Sequence, residues 1–372
     1  MSKKFSLFLS TLFCAFIGGV AIVSLLLPDK DFSPLENRFL KKPPKLSVES
    51  LTDGKFMEDA EDYVSDHIMG RDFWVAAKAW SERLSGKKEN EGVYFGKQDT
   101  LINRVKDPNP DKLKKDMGYV DDLVGSVSVP VYFGLIPSAA EIWKDRLPEG
   151  APTADEKAII DQLYFSTGAS TIDLYGALNA HGGEDIYYRT DHHWTSLGAF
   201  YGANAILEAL GMEPLKLEDY EKTTVTRQFN GTSFSTSGVR WLSPDTIDTY
   251  VPDEGIKVTS WFKGIPEEGS LYVDSYLDVK DKYSYFLGGR QPLCVVEKEG
   301  SEGPKVLVIR DSYSDSLTPF LTERFSQVHL FDPRDNLTSV KNYVEDNDID
   351  TVVVLYSFAN FAIDQNLFVL AR

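Results

Sequence analysis

The apolar positions of this chain change their period several times. The run 5–27 contains no charged side chain. As a helix it reaches about 34 Å, enough to cross a hydrocarbon core of about 30 Å. Residues 29–50 are rich in Pro and Lys and show no period, which predicts a stalk. Phe56, Ala60, Tyr63, Val64, Ile68, Phe73, Trp74, Ala77, Trp80 and Leu84 then recur at helical spacing over 53–85, interrupted near Gly70-Arg71. Segments 92–96 and 100–102 predict a short hairpin around Lys97-Gln98-Asp99.

Beyond that point strands and helices alternate. A helix over 110–125 leads to a strand over 129–136, nearly all apolar as a doubly covered parallel strand should be. A helix over 153–165, a short strand over 171–174 and a helix over 195–210 follow. Strands are predicted at 305–309, 327–331 and 351–356, with helices at 313–325 and 334–345 between them. This alternation predicts a three-layer α/β/α sandwich with crossover helices. Residues 212–300, dense in Thr, Ser, Tyr, Asp and Gly, read as a β-rich insertion in the same domain. The expected organisation is a cytoplasmic tip and transmembrane anchor over 1–28, a stalk over 29–52, and one domain over 53–372. No internal repeat of 20–50 residues is visible.

With 42% hydrophobic and 26% charged residues, the chain is neither disordered, collagenous nor a multi-span membrane protein. Its 57 acidic and 39 basic side chains give a net charge of −18. That balance argues against a nucleic-acid binder, which must neutralise phosphates with Lys and Arg. The two cysteines, Cys14 and Cys294, supply no disulfide framework or Cys-based zinc site, because Cys14 lies inside the apolar run. Lys3 and Lys4 precede that run as in a bacterial signal sequence, but it exceeds a cleavable apolar region. Ser24-Leu25-Leu26-Leu27-Pro28 is a poor cleavage site, and Thr11-Leu12-Phe13 is no lipobox. An uncleaved single-pass anchor with the body outside the cytoplasm is therefore expected. Lys30, Arg38, Lys41, Lys42 and Lys45 oppose that orientation, and a short tail before a long translocated domain outweighs them.

Two segments carry candidate chemistry. Of the five histidines, His192 and His193 fall together in Arg189-Thr190-Asp191-His192-His193-Trp194-Thr195, ahead of a helix. Asp191 and Thr195 read equally as helix caps. Adjacent side chains diverge on a strand or a helix, so one histidine is expected to act and the other to be structural. A zinc site is not expected, since no helical His-x-x-x-His or cysteine partner accompanies them. In the second segment, the apolar strand Val306-Leu307-Val308-Ile309 ends at Arg310-Asp311-Ser312, and a helix begins. An N-cap explains Asp-Ser there. A nucleophile at the carboxyl end of a parallel strand, with a helix N-terminus behind it for an oxyanion, explains it too. A hydroxyl needs a base to activate it, and that base needs a third group to orient it. Ser312, His193 and Asp191 offer those roles. Gly288 and Gly289 are candidate oxyanion donors or a tight turn. Tyr356 and Asn360 are candidate cleft-edge residues, and Pro137-Ser138 a candidate wall. Trp194 and Tyr313 could stack on a sugar ring or pack behind the three catalytic candidates.

Thr190-Asp191-His192-His193-Trp194-Thr195, Phe286-Leu287-Gly288-Gly289 and Asp311-Ser312-Tyr313 resemble the DHHW family of Gram-positive bacteria. That family is related to the alginate O-acetyltransferases and, more broadly, to SGNH hydrolases. The likeness runs from Ser33-Pro34-Leu35-Glu36-Asn37-Arg38 to the final strand. It implies an SGNH-hydrolase-like fold in which the alginate-type Asp-x-His-Trp carries over as Asp191 and His193, with Ser312 after an Asp. Arg310 and Arg290 depart from the Lys and Asn usual in the family. The resemblance implies acetyl transfer to or from a cell-surface polysaccharide without a cofactor, with a polytopic membrane-bound O-acyltransferase as acyl donor. A non-catalytic glycan-binding or assembly module on the same scaffold is the rival expectation, and it requires Asp191, His193 and Ser312 to lie out of hydrogen-bonding reach.

Overall fold

The computed structural model describes residues 3–36 and 38–372. Asn37 of the stretch 33–38 and the first two residues of the expected cytoplasmic tip lie outside the described residues. The chain divides into two compact units, residues 1–87 with 235–241, and residues 88–234 with 242–372. The helices expected over 53–85 thus belong to the first unit.

In the first unit, α1 (Lys3–Leu26) is the one described helix long and apolar enough to cross a membrane. The expected stalk is partly structured: Phe32–Ser33 pairs with Arg38–Phe39. Helices α2 (Lys55–His67) and α3 (Arg71–Leu84) meet at Gly70, whose φ of +68° breaks the period where the sequence interrupts it. The buried Asp66 carboxylate holds Arg38 (2.9 Å), and Arg71 reaches Glu36 (2.7 Å), so these charges are paired within the unit.

The second unit is built on one eight-stranded sheet. Its strands are β1 (Val131–Ile136), β2 (Ser170–Thr171), β3 (Ile256–Phe262), β4 (Ile265–Gly269), β5 (Leu293–Lys298), β6 (Lys305–Arg310), β7 (Gln327–Phe331) and β8 (Thr351–Ser357), in spatial order β4-β3-β5-β7-β6-β8-β1-β2. The five strands from β7 to β2 are parallel. Val306, Leu307, Val308 and Ile309 are all fully buried, as covering on both faces demands. The covering helices include α4 (Pro110–Ser126), α5 (Glu156–Ser166), α6 (Ser196–Ala209), α7 (Tyr313–Leu321) and α8 (Val340–Asp346). Helices α6 and α7 meet through Phe200 and Phe320. This is the expected α/β/α sandwich.

The β-rich segment 212–300 joins the central sheet: its β3, β4 and β5 extend that sheet antiparallel, and its remaining strands, Thr223–Phe229 and Asp245–Thr249, form their own ladder. Two features differ from the sequence reading. The strand expected at 171–174 stops at Thr171, because the Asp173 carboxylate accepts from Gly176 N–H and caps a helix starting at Leu174. Helix α8 starts at Val340, not 334, because the Asp332 and Asn336 side chains bond the intervening backbone into a loop.

Parallel register puts every carboxyl end on one rim. Ile309 pairs with Phe331, Arg310 with Leu355, and Ser357 with Ile136. Asp311-Ser312, Asp332, Phe358 and Pro137-Ser138 therefore leave the sheet side by side. At the β1 end of this rim, the fully buried Glu156 accepts from Ser138 N–H (2.9 Å) and from its hydroxyl. Burial pushes the Glu156 carboxyl up to about 7, against the pull of those Ser138 bonds. The folded chain then keeps a proton that the unfolded chain releases from about pH 4.5 upward, so this group lowers stability as pH rises toward 7. Glu156→Gln should flatten the fall in Tm between about pH 5 and pH 8, worth up to about 3 kcal/mol, in calorimetric melts across that range.

Candidate active site

The segment carrying the paired histidines is a tight loop leading into α6. Tyr187 bridges Trp194, Thr195 N–H donates to Ile186 O (2.9 Å), and the chain reverses at 190–193. Thr195 is the helix cap, its hydroxyl accepting from Gly198 N–H (3.2 Å). Asp191 is not a cap. Its Oδ1 accepts from His193 N–H (2.9 Å) and His193 Nδ1 (2.6 Å), and its Oδ2 from Thr232 N–H (2.7 Å) and hydroxyl (3.0 Å).

Ser312 lies in the turn between β6 and α7. Its side chain makes no cap bond, so capping does not account for it. Asp311 has that role instead, accepting from Tyr313 N–H (3.1 Å). The Ser312 hydroxyl is 2.8 Å from His193 Nε2, across 119 residues of sequence. Asp191 and His193 are buried, and Ser312 is half-buried. A carboxylate can only accept, so Nδ1 carries the proton and Nε2 presents its lone pair to the serine. Burial would raise the Asp191 carboxyl. Electrostatic attraction to the adjoining His192 and His193 and the bonds from His193 and Thr232 outweigh it and hold Asp191 well below the usual range.

The imidazole is packed against two rings. Tyr283 stacks on it at 3.8 Å between centroids and 9° between planes, and His192 lies at 3.9 Å and 37°. The Tyr283 hydroxyl also donates to Ser312 O (3.1 Å), tying the stacked ring to the serine turn. The two histidines thus share one site, because the loop has neither strand nor helix geometry to separate them. Burial and the neighbouring His193 lower His192 to about 4, and its Nδ1 bonds the Thr232 hydroxyl (2.6 Å). The ligand atoms of Asp191, His192 and His193 lie within 4.8 Å of one another. Both His193 nitrogens, however, are already engaged by Asp191 and Ser312.

Other sequence candidates fall elsewhere. The amides of Gly288 and Gly289 donate to Ser284 O (3.1 Å) and Phe286 O (3.4 Å), and both residues have positive φ. They form a tight turn with their N–H groups spent, so the oxyanion reading fails. Tyr356 is fully buried on β8 with its hydroxyl on Asp364 (3.2 Å), inside the core rather than at a cleft edge. Trp194 is also fully buried, donating to Tyr313 O (2.9 Å) and Ser316 Oγ (3.1 Å), so it packs behind the serine turn and offers no face to a sugar. Tyr313 is buried with it, its hydroxyl donating to His192 O. Asn360 does reach the turn, donating to Asp311 Oδ2 (2.8 Å). Arg290 pairs with Asp335 (2.8 Å).

Sequence reasoning missed Tyr283 and Gly231. Tyr283 sits in an aromatic-rich loop with no motif to distinguish it from its neighbours. A Cβ at Gly231 would come 2.2 Å from the Asp191 carboxylate, so only glycine fits where that loop crosses the acid.

The sequence model for the DHHW protein matches residues 123–331, more than half of the chain. The chain belongs to the DHHW family. A DHHW family protein from Eubacterium siraeum superposes with a TM-score of 0.67 at 25% identity, over 76% of this chain and 95% of that one. Bacillus cereus PatB1, a structure also solved with a sulfonyl adduct, gives 0.61 at 21% identity, over 73% and 97%. The O-acetyltransferase domain of Pseudomonas putida AlgJ gives 0.45 at 14% identity, over 73% and 93%. The PatB1 match is one of fold. No curated protein matches by sequence.

In this DHHW chain, Gly231→Ala should push the Asp191 carboxylate off His193. The overpacking should cost about 1–3 kcal/mol, read as a Tm drop of several degrees. The downfield proton resonance expected of His193 Nδ1–H should weaken alongside.

Proposed function

We propose that the chain is a membrane-anchored, extracytoplasmic O-acetyltransferase or acetylesterase that acts on a cell-surface polysaccharide through Ser312, His193 and Asp191. The observation that carries the reading is the continuous line of bonds from Asp191 Oδ1 to His193 Nδ1 (2.6 Å) and from His193 Nε2 to Ser312 Oγ (2.8 Å). The rival non-catalytic module required these groups apart, and they are in contact.

His193 Nε2 takes the Ser312 proton as Oγ attacks the carbonyl carbon of an acetyl ester. The tetrahedral oxyanion develops beside the N-terminal turn of α7, whose positive end favours it. His193 then returns the proton to the departing alcohol oxygen, leaving acetyl-Ser312. A sugar hydroxyl, or water in the esterase, gives its proton to His193 and attacks the acetyl carbon, and Ser312 leaves with that proton. Asp191 stays anionic throughout, fixing the tautomer and stabilising the imidazolium. The stacked Tyr283 and the buried setting keep the ring from turning away.

The anchor would be α1, with the second unit outside the cytoplasm. Acetyl-CoA is cytoplasmic, so the transferase needs a donor relayed across the membrane, the task the family resemblance gives to a polytopic O-acyltransferase.

Ser312→Ala should lower acetyl-ester turnover by about 10³-fold or more and abolish labelling by a serine-reactive phosphonate, with Asp191→Asn costing a similar factor in kcat. Turnover unchanged in Ser312→Ala removes the enzyme reading. The body should be digested by protease added to intact cells, and full protection overturns the orientation.

A further inference from the structure

A groove of about 1020 Å³ in the second unit does not contain Ser312. It lies farther along the same rim. Ile309, Phe331, Leu293 and Trp261 form one register row across β6, β7, β5 and β3. At about 4.8 Å per strand, Trp261 is three strands, or roughly 14 Å, from the strand that carries the serine. The covalent path is equally direct, since the loop holding Tyr283 against His193 continues through Arg290 into the groove wall.

Its lining is amphipathic. Trp261 and Leu293 come from neighbouring strands and Tyr343 from α8, while Asn342, Asp346 and Lys263 add polar groups at the sides. The Tyr343 hydroxyl is committed to His329 (2.7 Å), so the ring is held rigidly. Arg290 is neutralised by Asp335 (2.8 Å), and the remaining Lys263 and Asp346 carry opposite signs. The groove therefore has rigid aromatic surface, unspent amide and hydroxyl-binding groups, and no net charge to attract a polyanion. Sugar rings fit that combination, with C–H faces that lie on aromatic rings and equatorial hydroxyls that bond amides and carboxylates.

We propose that this groove holds a neutral glycan segment of the acceptor polymer, several rings along the chain from the sugar that reacts at Ser312. This rests on the acyl-transfer reading above and extends it to substrate class: a neutral polymer, bound away from the chemistry.

The test is a binding measurement independent of turnover. Chitohexaose, cellohexaose, mannohexaose and an oligomannuronate hexamer are titrated into the full chain with ¹⁵N-indole-labelled tryptophans. The chain has six tryptophans. At least one neutral hexasaccharide should shift the Trp261 indole resonance, assigned with Trp261→Phe, and leave the buried Trp143 and Trp194 unmoved. Trp261→Ala should weaken that Kd by about tenfold, and Asn342→Ala, on the exposed side of α8, should weaken it severalfold with an unchanged melt. Ser312→Ala should bind as the wild type does. Binding of the anionic hexamer alone, binding without a Trp261 shift, or no binding by any neutral hexasaccharide overturns the groove assignment. Loss of turnover in Ser312→Ala would then still support the acyl-transfer reading, while an active Ser312→Ala would sink that reading without touching the binding result.

Discussion

The carboxylate of Asp311 is the pin on which the site turns. It is fully buried and accepts four bonds, from Tyr313 N–H (3.1 Å), Ser357 N–H (2.9 Å), the Ser357 hydroxyl (2.6 Å) and Asn360 Nδ2 (2.8 Å). A carboxylate without water is tolerable only when its lone pairs are used in this way. Those donors come from α7 and from the end of β8, so one side chain ties two neighbouring strand ends together. Ser312 is the next residue, and its position at the rim follows from that tie. The Ser312 hydroxyl is therefore held by structure beneath it and needs no cap bond of its own.

The layer under the serine is charged as well. Arg310, fully buried, pairs with Asp315 in the first turn of α7 (2.7 Å). Burial drives the Asp315 carboxyl upward while the guanidinium pulls against it. Asp332, at the matching end of β7, is bonded by Arg334 (2.8 Å). Breaking such a pair on one side leaves an uncompensated buried charge, at a cost of roughly 3–5 kcal/mol. The Lys-to-Arg departure at position 310 keeps the charge and adds a planar fork. For the proposed acyl transfer that rigidity matters, because a reacting group misplaced by about 1 Å can lose about a hundredfold in rate.

The two halves of the site are held by different means. Ser312 sits on the sheet, where ladder bonds and the Asp311 tie fix it. His193 sits on a loop, where stacking on Tyr283, the Asp191 bonds and the buried Trp194 indole hold it. Trp194 donates to Tyr313 O and Tyr313 donates back to His192 O, so each half is braced by the other. Family matching and geometry meet here, since the motif residues are those that build the brace.

Much was legible before folding. Apolar runs such as Val306–Ile309 mark doubly buried parallel strands because they are β-branched-rich, too short for a buried helix and bounded by turn residues, and the Asp-His and Asp-Ser motifs mark their own loops. Boundaries were less legible where a single side chain redirected the backbone, as Asp173 does at the end of β2. Long-range choices were not legible at all. Whether 212–300 stands apart or joins the sheet depends on the antiparallel pairing of β5 with β7, a contact with no local signature. Gly288 and Gly289 have the composition of an oxyanion loop and the hydrogen bonds of a closed turn, and only the folded backbone distinguishes the two. Local chemistry selected the serine, the histidine and the acid, because propensity and motif are properties of neighbours in sequence. The tertiary structure alone selected the Tyr283 ring under the imidazole and the glycine beside Asp191, because packing is a property of neighbours in space.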